Sequence, residues 1–227
     1  MTFTYFGHSC FQFEINGFQI LFDPFISPNP LAQHVNISEI QPHYIIVSHG
    51  HGDHMADLIR IAQQSEATVI SNYEISEWVK EQGISRVIGM NTGGKCTLPF
   101  GTVRLTHAVH SSVLPDGTYG GHPNGVLLHS DEGNIFYAGD TALHMDLKLI
   151  PHWAPQLDIA LLPLGDHFTM GIEDAILAAQ WIKAKKIIPV HYNSFPPIQI
   201  DTTFALQQFE QAEIPFSFYE IGRPTVI

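Results

Sequence analysis

The chain has few basic residues and few cysteines. Lysine and arginine together number 10 of 227 residues, against 22 acidic residues, and the formal net charge is −12 with histidine neutral. Because a nucleic-acid-binding face needs clustered Lys and Arg to contact phosphates, we expect no nucleic-acid partner. The two cysteines, Cys10 and Cys96, lie far apart and outside any CxxC pattern. This spacing indicates reduced thiols in a cytoplasmic protein, with a disulfide between them as the open alternative.

Long apolar runs are also missing. No stretch of about 18 apolar residues occurs, so we expect no membrane span. The first residues have neither the basic segment nor the apolar segment of a signal peptide, and none is expected. Apolar residues make up 44% of the chain and charged residues 14%, which is typical of a folded globular protein. Because no linker, repeat or low-complexity segment interrupts the chain, we predict a single domain over residues 1–227.

Short apolar runs alternate with helical patterns, which predicts an α/β fold. Asn16-Gly17 between two apolar runs is a strong hairpin signal. Strands are predicted at 2–6, 10–15, 18–22, 44–47, from 69, and at 103–109, 126–129, 135–138, 159–162, 187–190 and 216–219. Helices are predicted at 56–64, 73–82, 173–183 and 203–212.

The most informative stretch is His-Gly-His-Gly-Asp-His at residues 49–54, directly after a strand that looks buried. Imidazole nitrogens and carboxylates are ligands that suit zinc and its divalent neighbours. The two glycines allow a tight turn, so His49 and His51 can approach one ion while Asp53 and His54 approach another. The spacing therefore predicts a hydrolytic site with two metal ions.

Three further candidates follow predicted strands: His110, Asp140 and His191. Loops at strand ends are where a rigid α/β scaffold presents chemistry. With these residues the chain resembles the metallo-β-lactamase superfamily. The matching elements, in order, are residues 49–54, His110, Ala138-Gly139-Asp140-Thr141 and Pro189-Val190-His191.

Closer details resemble a small branch of metal-dependent hydrolases near the ascorbate-6-phosphate lactonases. The segments that carry this likeness are Phe6-Gly7-His8-Ser9, Gly139-Asp140-Thr141-Ala142, residues 165–171 and residues 191–196. The resemblance implies a four-layer αββα sandwich, with the site at one edge of two facing sheets.

The resemblance also implies how the ligands divide between two metals. It assigns His49, His51 and His110 to one ion, assigns Asp53, His54 and His191 to the other, and makes Asp140 the bridge. Chemistry supports this division, because a catalytic zinc accepts three protein ligands and keeps a position for water. Two such ions can share one hydroxide and lower the pKa of water to about 7. Asp53 is also a candidate to orient that water or move its proton.

Several neighbouring residues have open roles. His8 and His167 match the branch and are candidate catalytic groups, with a structural hydrogen bond as the alternative for each. Asp166 is a candidate to hold a ligand histidine through its second ring nitrogen. His107 is the alternative to His110, but in a strand their odd separation puts them on opposite faces, so we expect them not to serve one ion.

The predicted function is a binuclear metal-dependent hydrolase, an enzyme in which a metal-bridged hydroxide attacks a small ester, lactone, amide or phosphoester. The alternatives are a phosphodiesterase or nuclease of the same superfamily and a metabolite-binding protein that keeps the metals without efficient catalysis. Zinc is the expected ion, with manganese, iron and nickel as alternatives, because a His/Asp site accommodates several metals. The substrate and the oligomeric state stay open.

Overall fold

Two β-sheets face each other, with helices on their outer faces, in a computed structural model that describes all residues, 1–227. The strands are β1 (Thr2–Gly7), β2 (Cys10–Ile15), β3 (Phe18–Phe22), β4 (Tyr44–Ile46), β5 (Thr68–Asn72), β6 (Val87–Met90), β7 (Lys95–Leu98), β8 (Gly101–His107), β9 (Asn124–Ser130), β10 (Gly133–Tyr137), β11 (Ile159–Pro163), β12 (Lys186–Val190) and β13 (Thr225–Val226). The α-helices are α1 (Gly52–Met55), α2 (Leu58–Ser65), α3 (Tyr73–Glu81), α4 (Ile150–Trp153), α5 (Ile172–Ile182) and α6 (Thr202–Gln211).

Each sheet combines antiparallel and parallel pairs. The first has the order β13-β1-β2-β3-β4-β5-β6 and is parallel from β3 to β6. The second has the order β12-β11-β10-β9-β8-β7 and is parallel from β10 to β12. Two antiparallel steps restore a strand's direction, so β1 runs with β3 and β4, and β8 runs with β10 and β12. The carboxyl ends of these strands therefore share one edge of each sheet.

The core between the sheets contains many aromatic side chains. In β2, Phe11, Phe13 and Ile15 alternate with the residues of the opposite face, as the two-residue period of a strand requires. The rings of Phe11 and Phe22 stack with their centroids 4.6 Å apart, and Tyr137 of the second sheet meets Phe11 edge-on at 5.0 Å. Aromatic pairs at such separations are favourable beyond the area they bury, so they help to hold the two sheets together.

Helices cover the outer face of each sheet. Leu58 and Ile61 of α2 and Val79 of α3 pack on the first sheet, while Ala175 of α5 and Phe209 of α6 pack on the second. This explains why β11 is apolar throughout its length: alternate residues face the central core and the outer helical layer, as expected for a strand buried on both faces. The predicted αββα sandwich is confirmed.

Most predicted elements are present, but one strand is wrong. Residues 216–219 form no strand, because Phe216 makes only an isolated bridge with Ile187 and stacks on Phe209 at 4.0 Å. The last strand is β13, which pairs with β1. The helix expected from residue 56 begins at Leu58, and the short helix α1 precedes it. Neither β6 nor β7 is among the predicted strands.

Two further findings concern the cysteines and the expectation of no membrane span. Both cysteines are free, so the disulfide alternative is not realised. None of the helices combines the length and the apolar character needed to cross a membrane.

The central core makes a prediction about stability. Leu128 of β9 is fully buried between the sheets, whereas Leu206 of α6 is 45% exposed. We expect Leu128→Ala to lower the free energy of unfolding by about 2–5 kcal/mol, because it removes buried methyl groups and leaves a cavity. The control Leu206→Ala should change it by less than about 0.5 kcal/mol. Urea denaturation measures both, and equal losses would contradict the assignment of the core.

Candidate metal centre

The candidate residues lie where strands of both sheets end. His8 follows β1, the segment 49–54 follows β4, His110 lies beyond β8, Asp140 beyond β10, and His191 directly follows β12. Because these strands run in the same direction within each sheet, their carboxyl ends bring the loops to a common edge. The site therefore forms only when the two sheets face each other correctly.

Backbone contacts join the two sheets at this edge. The amide of His191 donates to the carbonyl of His8 at 2.8 Å, and the amide of Asn124 donates to the carbonyl of Ser48 at 3.1 Å. His8, Asp23 and His191 have positive φ angles of 56°, 42° and 54°. Non-glycine residues in this region cost of order 1–3 kcal/mol each and cluster at functional sites. Three of the residues with this backbone conformation therefore lie at this edge.

Asp140 lies at the centre of the histidines. Its Oδ2 atom is 2.9 Å from Nε2 of His191 and 3.3 Å from Nε2 of His54. The same oxygen is 3.6 Å from Nε2 of His110 and 3.9 Å from Nε2 of His49. The other oxygen, Oδ1, is buried without a hydrogen-bond partner, as is Nε2 of His54. Buried polar atoms are normally paired, so these two leave room for a cation to complete the arrangement.

The predicted metal ligands fall into two groups. Nε2 of His49 lies 2.9 Å from Nδ1 of His51. In each group, one ligand atom per residue lies within 4.8 Å of the others, as in a metal site. The first group is His49, His51 and His110, and the second is His8, Asp53, His54 and His191. These groups contain the residues that the resemblance assigns to the two ions, with His8 added, and a third group, Asp23, His49 and His54, overlaps both. The donors fit a divalent metal of the zinc type.

Asp23 is a site residue that the sequence analysis missed. Its carboxylate accepts hydrogen bonds from the amide of Ser48 at 2.7 Å, from the Ser48 hydroxyl at 2.6 Å and from the Tyr137 hydroxyl at 2.6 Å. It also lies 2.7 Å from Nδ1 of His54, and so turns the opposite ring nitrogen toward Asp140. A carboxylate on the outer nitrogen is how metal-binding histidines are usually oriented.

Asp166 is the residue that the sequence suggests as a candidate for such an orienting role. Asp166 is exposed, and it makes no side-chain hydrogen bond to any of the clustered histidines. One signal was present in the sequence. Asp23 directly follows the buried strand β3, which is the same position that singled out the other strand-end residues.

His8 bridges Asp53 and Ser194. Its Nε2 is 3.1 Å from Oδ2 of Asp53, and its Nδ1 is 2.6 Å from the Ser194 hydroxyl. Burial lowers the pKa of His8 to about 4, so the ring is neutral at pH 7 and carries one N–H. Because a carboxylate only accepts, that hydrogen belongs on Nε2, and Nδ1 accepts from Ser194. His8 thus holds Asp53 in position.

Two other predicted positions lie away from the cluster. His167 is exposed, with its ring against Phe168, and it makes no side-chain hydrogen bond or ion pair to the candidate ligands. Its catalytic role stays a prediction. His107 pairs with Asp146 instead of joining His110, in agreement with the expectation that these two histidines do not serve one ion.

Burial and the two aspartates Asp140 and Asp23 shift the pKa values of the histidines at the centre. Burial lowers the pKa of His49 far below its usual value and also lowers the pKa values of His51 and His110. Burial acts in the same direction on His54, but Asp140 and Asp23 together raise its pKa well above the usual value. The first group therefore offers neutral rings at pH 7, as ligation requires, whereas His54 holds a proton between two carboxylates.

Comparison with known proteins identifies the family of the chain. The family model described as "Beta-lactamase superfamily domain" matches residues 2–191. The chain belongs to the metallo-β-lactamase superfamily. It is 45% identical over 223 residues to a "UPF0173 metal-dependent hydrolase" of Methylacidiphilum infernorum, covering 98% of each chain. It is 41% identical over 209 residues to a protein of the same description from Flavobacterium johnsoniae, covering 92% of each.

Solved structures of the superfamily share the fold. "Igni18, a novel metallo hydrolase" from Ignicoccus hospitalis is 33% identical, with 99% of this chain and 97% of that chain covered, at a TM-score of 0.89. An isothiocyanate hydrolase from Delia radicum gut bacteria has a TM-score of 0.80 at 17% identity, covering 100% of this chain and 99% of that one, and supports the fold alone. The predicted superfamily and the prediction of a metal-dependent hydrolase are confirmed; the nearer likeness to ascorbate-6-phosphate lactonases stays a prediction.

The contacts of Asp23 predict its effect on metal affinity. Asp23→Asn replaces the carboxylate that contacts His54 with a neutral amide, so we expect zinc affinity to fall by about 10–100-fold. Asp57→Asn is the matched control. Asp57 is also a buried carboxylate, but it accepts from the amides of Ile26 and Ser27 and lies outside the cluster. Competition with a chromophoric chelator measures both affinities, and an unchanged value in Asp23→Asn would refute the orienting role.

Proposed function

We propose that the chain is a hydrolase with two divalent metal ions, whose ligands come from the two groups described above. His49, His51 and His110 hold one ion, and Asp53, His54 and His191 hold the other. The observation that carries this proposal is the position of Asp140, whose single oxygen Oδ2 lies within 4 Å of imidazole nitrogens from both groups. A carboxylate that both groups share is the natural bridge between two ions.

Bound ions of this kind polarise a carbonyl or phosphoryl oxygen and bring the pKa of a water to about 7. The chain's own residues set the geometry around that chemistry. Asp53 keeps 29% of its side chain exposed while His8 holds one of its oxygens, so the carboxylate is fixed and still accessible. The hydrogen bond from His8 also keeps the pKa of Asp53 below its usual value, against the effect of burial. Asp53 is therefore ionised at neutral pH, and its accessible carboxylate is able to orient an attacking water by accepting a hydrogen bond from it.

The surroundings favour a small substrate. Phe25 and Phe195 flank His8, each with its ring centroid 5.3 Å from the imidazole, and lie 5.8 Å from each other. They form an apolar wall beside the second group of ligands, in which Phe25 is buried and the half-buried Phe195 is the part open to a substrate. The half-buried His51 and the exposed part of Asp53 give solvent access to the centre. We infer that the substrate is a small ester, lactone, amide or phosphoester with an apolar portion that contacts this wall.

Metal content tests the assignment of ligands. In protein purified without added metal, we expect about two ions per chain, as a two-metal site requires, and fewer in His51→Ala and in His191→Ala. His152→Ala is the control, because His152 is exposed and outside every cluster of candidate ligands. Elemental mass spectrometry measures all four proteins. A wild type without metal that also fails to take up zinc or manganese would overturn the proposal.

Turnover tests the reaction itself. We expect a panel of small esters, lactones, amides and phosphodiesters to include a substrate for the metal-loaded wild type. On that substrate kcat/KM should fall by more than about 100-fold in His51→Ala, since even residues that only orient ligands cost about 10–100-fold. The control His152→Ala should match the wild type. Undiminished turnover in His51→Ala would exclude the assigned mechanism, and cleavage of labelled RNA would point to a nuclease instead.

The raised pKa of His54 predicts a pH dependence of metal binding. In metal-free protein His54 is protonated at pH 7, so zinc must displace that proton to bind. Zinc affinity should therefore rise as the pH rises toward the pKa of His54. Calorimetric titration with zinc in buffers of different ionisation enthalpy measures the protons released. Asp23→Asn should release fewer, because Asp23 is one of the two carboxylates that raise this pKa; equal release from both proteins would contradict the account.

A further inference from the structure

A second cluster of metal-binding side chains lies outside the candidate metal centre. His107 at the end of β8 places its Nδ1 2.9 Å from Oδ2 of Asp146, and its ring centroid is 5.2 Å from that of His144. One ligand atom from each of these three residues lies within 4.8 Å of the other two. None of the three belongs to either group around Asp140. We call these residues the outer cluster.

His144 is the unusual member. Both of its ring nitrogens are buried, and neither has a hydrogen-bond partner. A buried ring nitrogen normally pairs with a protein group or water, because it otherwise loses its hydration without gaining a partner. Asp146 already lies within hydrogen-bond distance of His107, yet His144 has no such partner. The arrangement therefore leaves an imidazole lone pair next to a carboxylate and a second imidazole.

Space for a bound ion adjoins these side chains. The three residues help to line a cavity of about 120 Å³, whose other walls include Thr106, Leu147 and Trp153. One water occupies about 30 Å³ of liquid volume, so the cavity has room for an ion with water ligands. Two imidazoles, one carboxylate and water make a four-coordinate donor set that suits Zn²⁺.

We propose that the outer cluster binds a divalent transition-metal ion, with zinc as the favoured ion, through His107, His144 and Asp146. This ion is additional to those of the candidate centre, and the proposal does not depend on the catalytic mechanism. The side chains of His107 and Asp146 are 46% and 54% exposed, so this site is the weaker one and fills when zinc is added.

The outer cluster is also connected to the candidate centre through two short segments. His107 lies three residues before His110, and His144 lies four residues after Asp140. These segments are hydrogen-bonded to each other: the amide of Ala142 donates to the carbonyl of Val109 at 3.1 Å, and the amide of Val109 donates to the Thr141 hydroxyl oxygen at 2.9 Å. An ion that joins His107 to His144 fixes the same two segments relative to each other. Its role is therefore structural support for the loops that carry His110 and Asp140.

Zinc titration of dialysed protein tests the proposal. We expect the wild type and the control His152→Ala to bind about one more zinc per chain than His107→Ala and Asp146→Asn, because each of these variants removes one of three protein ligands. His107 and Asp146 are half-exposed, so substitution there preserves the fold, and circular dichroism verifies it. Equal zinc equivalents in all four proteins would overturn the proposal.

Anomalous diffraction locates the ion. Crystals of the zinc-loaded wild type should give a peak at the zinc edge between His107, His144 and Asp146, and Asp146→Asn should lose it. In His51→Ala this peak should persist although the centre is impaired, which separates failure of the outer cluster from failure of the proposed function. A wild-type map with zinc at the centre and none at the outer cluster would refute the inference.

Discussion

Two carboxylates buried on either side of one imidazole are the constraint on which this site depends. Asp23 is fully buried and Asp140 is 2% exposed, with His54 between them. Removing such charges from water costs several kcal/mol for each ion, and the protein must offset that cost with close partners. Asp23 is fully satisfied by Ser48, Tyr137 and His54, whereas Asp140 keeps one oxygen unpaired. The two aspartates thus have different roles: Asp23 orients His54, and Asp140 faces the space between the imidazoles.

This arrangement makes the site a property of both sheets. Asp23 and His54 follow strands of the first sheet, while Tyr137, Asp140 and His191 belong to the second. Tyr137 of the second sheet donates a hydrogen bond to Asp23, and its ring also contacts Phe11 of the first sheet. A shift between the sheets would therefore break a buried hydrogen bond and separate the carboxylate of Asp140 from His54 at the same time. Packing and ligand geometry are coupled through one side chain.

The local patterns of the sequence predicted more of the fold than of the site. Alternation in β2 and the Asn16-Gly17 turn are visible over a few residues, and the segment 49–54 shows its chemistry in its spacing. By contrast, Asp23 receives its hydrogen bond from Tyr137, 114 residues further along the chain, so its position after β3 marks it as a candidate but does not reveal which residues it contacts. β6 and β7 were missed because they are short and only partly buried, which weakens the hydrophobic period that identifies a strand. Residues 216–219 were wrongly predicted as a strand because their side chains are apolar. These side chains pack on the second sheet, but the segment forms no strand of it.

The local charge at the proposed centre differs from the net charge of the chain. A net charge of −12 argues against polyanionic partners, and three of the carboxylates that contribute to it, Asp23, Asp53 and Asp140, lie at the proposed centre. On the proposed assignment, two divalent ions bring four positive charges to these three carboxylates and displace the proton of His54, so the local sign is no longer negative. Bound ions are commonly the largest charges in their surroundings and reverse the local electrostatics. On this assignment, the proposed centre attracts a small anionic group more strongly than the acidic remainder of the surface does.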